Sequence, residues 1–110
     1  MNFDAMTEDD FAKLEEIYML FASVPRLKIL LRLNSRGECS SGDLALAAGL
    51  SQTAASHQLK DLRRSKIVKT RKSGAKVLYS LDDQHIINII QSAMQHISGE
   101  NCHEGDNYGE

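Results

Sequence analysis

Three features of this 110-residue chain predict a mainly α fold with one β-hairpin, a winged helix-turn-helix. In SSGDLALAAGLSQTAASHQLKDLRR, residues 40–64, two short amphipathic segments flank a turn containing Gly49, the pattern of two helices packed across a tight connection. Directly after it, KIVKTRKSGAKVLYSL alternates apolar and polar residues about Lys72-Ser73-Gly74, which reads as a hairpin. The third feature is length: 110 residues make one small domain with a modest core, which pairing with a second copy would enlarge.

The elements follow in order. Phe11, Leu14, Ile17, Tyr18 and Phe21 recur at helical spacing, so residues 8–23 form a helix, opened by Thr7 with Asp10. Pro25 fits the first turn of a second helix, where its missing N–H costs nothing. That helix runs to about Ser35 before Gly37, with Leu27, Ile29, Leu30 and Leu31 in the core. Ser40 or Ser41 caps a short third helix carrying Leu44, Ala45 and Ala48, and Gly49 ends it. Ser51 opens the fourth helix, about residues 51–65, with Ala55, Leu59 and Leu62 inward. In the wing, about residues 66–81, Val68, Thr70, Val77, Tyr79 and Leu81 share a face. A last helix over about 83–98 carries Ile86, Ile90, Ala93 and Ile97, the expected dimer contact. Residues 1–98 thus form a single domain dimerising through its N- and C-terminal helices, and residues 99–110 a polar, flexible tail.

Charge separates along the chain. Residues 60–76 hold eight Lys and Arg against Asp61 alone, while residues 1–23 hold six acids against Lys13, and residues 82–110 hold six acids and no Lys or Arg. A basic middle between acidic ends suits a polyanion. The acidic start MNFDAMTEDD lacks the basic and apolar regions of a signal peptide, and no apolar run could span a bilayer. A cytoplasmic protein with reduced thiols at Cys39 and Cys102 is therefore expected. No nucleophile–base pairing, phosphate loop or cofactor motif points to an enzyme.

On the fourth helix Gln52, Thr53, Ser56, His57 and Lys60 share the face opposite Ala55, Leu59 and Leu62. In a winged helix-turn-helix this helix enters the major groove of duplex DNA. Gln suits adenine, and Ser or Thr suits base edges or phosphate. Lys60, Arg63 and the wing's Arg71, Lys72 and Lys76 would meet phosphate, setting affinity and register.

The last helix carries His85 and His96 on one face, eleven residues and about 16 Å apart. One ion cannot touch both within a chain. Two-fold antiparallel pairing of this helix would bring His85 beside His96 of the other copy and create two equivalent sites. Asp83 stands where the chain enters the helix, and two imidazoles with a carboxylate suit Zn(II). The same residues also read as an N-cap and two exposed polar side chains.

Over residues 10–98 the chain resembles the ArsR/SmtB metalloregulatory repressors. VPRLKILLRL, LSQTAASHQLKDLRRSKIV and above all YSLDDQHIINIIQSAMQH carry the resemblance. It implies that Asp83, His85 and His96 match three ligands of the C-terminal-helix metal site of the SmtB/CzrA-like branch. The fourth ligand position falls on Gly99, so Glu100, or else Cys102, His103 or a water, would complete the site. The family's thiolate site falls on Ser40 and Gly42, with Cys39 one residue early, which makes Cys39 a half-buried residue near a helix start. The implied protein is a homodimeric repressor of metal-handling genes that leaves its operator when Zn(II), or else Co(II), Ni(II) or Cd(II), binds at the dimer interface. The alternative is a redox- or sulfide-responsive repressor of the same fold, using Cys39 and Cys102.

Overall fold

The structure, a computed structural model, describes residues 1–99. A short 3-10 turn, Phe3–Ala5, precedes α1 (Glu8–Phe21) and α2 (Val24–Arg36). Strand β1 (Cys39–Ser40) leads into α3 (Ser41–Ala48) and α4 (Gln52–Arg64), and the hairpin β2 (Val68–Ser73) and β3 (Lys76–Leu81) precedes α5 (Gln84–Ser98).

Each helix begins where a short polar side chain can take an otherwise unpaired N–H. Thr7 and Asp10 form a reciprocal capping box at 3.1 and 3.0 Å. Ser23 caps α2, with Pro25 just inside. Ser40 rather than Ser41 caps α3, accepting from the Asp43 N–H at 3.2 Å, and Ser51 caps α4. Gly49 adopts φ +69 between α3 and α4, where a side chain would be strained, and so turns the chain sharply enough for the two helices to pack.

The core is where these helices meet. Ile29, Leu30 and Leu33 of α2, Leu44 of α3, Leu59 and Leu62 of α4 and Ile87 of α5 are all buried at 1% exposure or less. Ile17, Leu20 and Phe21 of α1 pack against this cluster from outside, whereas Tyr18 is 57% exposed.

The sheet is antiparallel with strand order β1-β3-β2. Val68 pairs with Leu81, Thr70 with Tyr79 and Lys72 with Val77, the shared face expected from the alternation. The turn sits one residue later than Lys72-Ser73-Gly74 suggests. Ser73 pairs with Lys76, and Gly74-Ala75 forms a two-residue loop. Positive φ falls on Gly74 and not on Ala75, the pattern of a type II′ turn that matches strand twist. Strand β1 has no counterpart in the sequence reading. Cys39, expected half-buried, is 3% exposed because it pairs with Tyr79 on the covered face of the sheet.

The stripe Ile86, Ile90, Ala93 and Ile97 also divides. Ile86 and Ile90 lie in the chain's own core at 4% and 5% exposure, while Ile97 is 83% exposed and Ala93 is exposed. The first half of α5 packs into the cluster, so the expected dimer role of Ile86 and Ile90 is corrected. The exposed apolar positions are Ile89, Ala93, Met94 and Ile97.

Lys66 is the non-glycine residue at positive φ, +63, among those described. The turn is forced by two bonds that close α4, Lys66 N–H to Arg63 O at 3.0 Å and Ile67 N–H to Leu62 O at 2.9 Å. Left-handed backbone costs a side-chain-bearing residue roughly 1 kcal/mol. Lys66→Gly is expected to raise the urea midpoint with an unchanged m-value; a lowered midpoint would mean that the lysine charge at the helix C-terminus outweighs the strain.

Candidate nucleic-acid interface and metal site

Burial of Ala55, Leu59 and Leu62, each at 0% exposure, orients α4. Gln52, Thr53, Ser56, His57 and Lys60 are consequently all exposed on its opposite side, as the offsets predict. One of them is already engaged. The Gln52 amide donates to Ser41 Oγ at 2.7 Å, tying the first turn of α4 to the first turn of α3. Lys60 and Arg63 are exposed without an ion-pair partner among the described residues, while Arg64 lies 3.4 Å from Asp61.

The far flank of α4 is held by Arg26. Its Nε donates to Gln58 Oε1 at 2.5 Å and its Nη1 to the Met19 carbonyl oxygen at 3.3 Å. One half-buried guanidinium thus joins the end of α1, the start of α2 and the middle of α4. Neither residue was singled out from the sequence. They are 32 positions apart and share no local pattern, so only the packed fold brings them together.

In the wing, Lys72 and Lys76 are exposed near the Gly74-Ala75 tip. Arg71, grouped with them by charge, is paired instead. Its Nε and Nη2 donate to the two oxygens of Glu38 at 2.6 and 2.8 Å. The guanidinium holds the Glu38 carboxyl below its ordinary range, and the carboxylate raises Arg71 in return. Glu38, just before β1, also escaped the sequence reading.

At the start of α5, Asp83 caps the helix by accepting the His85 N–H at 2.9 Å. The same Oδ1 lies 3.3 Å from His85 Nδ1, and the His85 side chain is 93% exposed. Two ligand atoms on one tetrahedral Zn(II), each about 2.0–2.1 Å from it, stand about 3.3 Å apart. The pair therefore fits two corners of such a site. His96 is exposed on the same face of α5, three turns on. No three His, Cys, Asp or Glu side chains converge among the described residues, so further ligands for Asp83 and His85 would have to come from elsewhere. Helix α5 ends at Ser98, and Gly99 turns left-handed at φ +80. Glu100, Cys102 and His103 lie outside the described residues.

Cys39 is poorly placed for thiolate chemistry. Burial first, then a hydrogen bond with Asp43 and the charge of its carboxylate, pushes its thiol above the ordinary range. No described helix is long and apolar enough to cross a membrane.

A helix-turn-helix with an exposed polar face on its second helix, followed by a basic hairpin, defines a winged-helix DNA-binding regulator. The profile of the family described as "Bacterial regulatory protein, arsR family" matches residues 23–70. The chain is 35% identical over 94 residues to the "Transcriptional repressor SmtB homolog" of Synechocystis, covering 86% of this chain and 70% of that one. It is 35% identical over 81 residues to the "Cadmium resistance transcriptional regulatory protein CadC homolog" of Staphylococcus aureus, covering 74% and 67%. Among solved structures, the AntR antimony-specific transcriptional repressor superposes with a TM-score of 0.77 at 23% identity over 91% of this chain and 90% of that one. The homodimeric winged helix-turn-helix DNA-binding domain Mb0332 of Mycobacterium bovis does so with a TM-score of 0.70 at 22% identity over 90% and 94%. At those identities the two structures establish the fold. The chain belongs to the ArsR/SmtB family of DNA-binding transcription regulators and is not an enzyme.

Gln58→Leu removes the acceptor of Arg26 and should lower stability by about 0.5–1.5 kcal/mol. A double-mutant cycle with Arg26→Met should recover most of that as coupling. Additive effects would show that the contact carries no energy.

Proposed function

We propose that the protein is a homodimeric, metal-responsive repressor that leaves its operator when Zn(II), or a similar ion such as Co(II), Ni(II) or Cd(II), binds between the C-terminal helices. The convergence of Asp83 Oδ1 and His85 Nδ1 at 3.3 Å, on an exposed face of α5 shared with His96, carries this reading. Asp83 and His85 of one subunit with His96 of the partner subunit would hold the ion, and a fourth ligand would come from Glu100, Cys102, His103 or water. A relative whose name speaks of cadmium resistance supports a metal signal, and one named as a transcriptional repressor supports repression.

The dimer contact follows from what α5 leaves uncovered. Ile89, Ala93, Met94 and Ile97 line an apolar groove with Phe21, Leu27 and Leu31. At 100° per residue, Ile89 and Ala93 lie between the buried face of α5 and the histidine face. A second α5 laid antiparallel on this strip would bring each His85 toward the other copy's His96. Without that cover the small domain exposes apolar surface of the kind that marks an interface.

Bound there, a divalent ion supplies a cross-link between subunits. The remainder is linkage: an ion that favours the dimer geometry with poor half-site spacing lowers operator affinity by the same factor by which DNA lowers ion affinity. Gln52, Thr53, Ser56 and His57 would face base edges, and Lys60, Arg63, Lys72 and Lys76 phosphates.

Chelator competition on the reduced full-length chain should find about one tight ion per subunit, lost in His96→Ala. Operator affinity should fall roughly 5- to 150-fold with metal in the wild type and not in the variant. Binding indifferent to His96 would sink the inter-subunit site. On the DNA side, Lys60→Gln should weaken operator and unrelated duplex alike and flatten log K against log salt by about 0.9, whereas Ser56→Ala should weaken the operator alone. Ile97→Glu, at a position 83% exposed in the monomer, should leave the fold intact and shift sedimentation toward monomer.

A further inference from the structure

The eight basic residues between Lys60 and Lys76 do not carry equal weight toward DNA. Lys72 and Lys76 at the wing tip have no ion-pair partner among the described residues. Arg71 has one, in a bidentate geometry that takes two of its five N–H donors. Nε and Nη2 form one edge of the guanidinium, and both bond the same carboxylate, at 2.6 and 2.8 Å. That edge is the planar fork with which arginine grips carboxylate or phosphate, one at a time.

The sheet explains the pairing. Arg71 of β2 stands opposite Leu78 of β3, and Leu78 stands opposite Ser40 of β1. Glu38 precedes Ser40 by two residues and so shares its face by strand alternation. The pair therefore crosses the outer face of all three strands, opposite the side that buries Val68 and Cys39. It joins the wing to the connection between α2 and α3.

We propose that Glu38 masks Arg71, so that this arginine acts as a strut between wing and helix-turn-helix and takes no DNA phosphate, leaving Lys72 and Lys76 as the phosphate contacts of the wing. The inference rests on the reading that the wing meets DNA. An exposed pair of this kind contributes little to stability; its consequence is electrostatic. Each phosphate neutralised adds about 0.9 to the slope of log K against log salt, whereas a guanidinium already neutralised by a carboxylate adds nothing.

The test measures the salt dependence of binding to a non-operator duplex by fluorescence anisotropy. It compares the full-length wild type with Glu38→Gln, Arg71→Gln, the double variant and Lys72→Gln. Arg71→Gln is expected to leave the slope unchanged. Glu38→Gln should steepen it by about 0.9, so that affinity falls about three- to fourfold more between 0.05 and 0.2 M salt. The double variant should return to the wild-type slope. A slope flattened by Arg71→Gln in the wild-type background, or left unaltered by Glu38→Gln, would overturn the masking. If Arg71→Gln does not fold, Glu38→Gln decides alone. Lys72→Gln separates the two levels: flattening by about 0.9 confirms a wing on DNA whatever Arg71 does, and no flattening removes the wing from the interface and this proposal with it.

Discussion

Ala55, Leu59 and Leu62 occupy one side of α4 and have no exposed surface, so the direction of every polar side chain on that helix is set by packing. A helix rotates as a unit. Once one stripe is fixed against α2 and α3, the residues half a turn away have no freedom of azimuth. The cap at Ser51 sets where the helix begins, and the Gly49 turn sets its angle to α3. The amide of Gln52 on Ser41 and the guanidinium of Arg26 on Gln58 then hold the two flanks. The polar face of α4 is a surface consequence of apolar burial underneath it.

Much of this was legible beforehand because it depends on local period and local caps. Thr7, Ser51, Gly49 and Pro25 each act within one helical turn, and the face opposite Ala55, Leu59 and Leu62 follows from offsets alone. What stayed hidden depends on distance in sequence. Glu38 meets Arg71 33 positions on, and Arg26 meets Gln58 32 positions on. Cys39 is buried by Tyr79, 40 residues away, through a two-residue strand too short to show alternation. The candidate ligands Asp83, His85 and His96 were legible as a spacing. What the fold added was the closeness of Asp83 to His85 and the end of the helix at Ser98.

Helix α5 serves two demands, and its isoleucines divide between them. Ile86, Ile87 and Ile90 complete the core of the chain itself, while Ile89 and Ala93 lie between it and the histidine face and Ile97 continues the buried azimuth beyond the core. Period alone cannot divide such a stripe, since Ile86, Ile90 and Ile97 share one azimuth and differ only in how far along the helix they stand. The division arises because α5 leans on the cluster near its start and runs out past it. Apolar side chains beyond the domain's edge are then available to a second copy without loosening the first.

Besides its pairing with β1 and the Glu38–Arg71 bridge, the wing is closed at its base. The N–H of Asp82, just after β3, bonds the carbonyl of Ile67, just before β2, at 2.8 Å. The end of α4 and the approach to α5 are thus pinned together at the base of the hairpin, and everything from Val68 to Leu81 is a detour that leaves and returns to one place. The base of the detour belongs to the core, through Val68, Tyr79 and Leu81, and to the sheet, through β1, whereas the tip from Lys72 to Lys76 is exposed. A change of length or charge confined to that tip would leave the packed helices where they are.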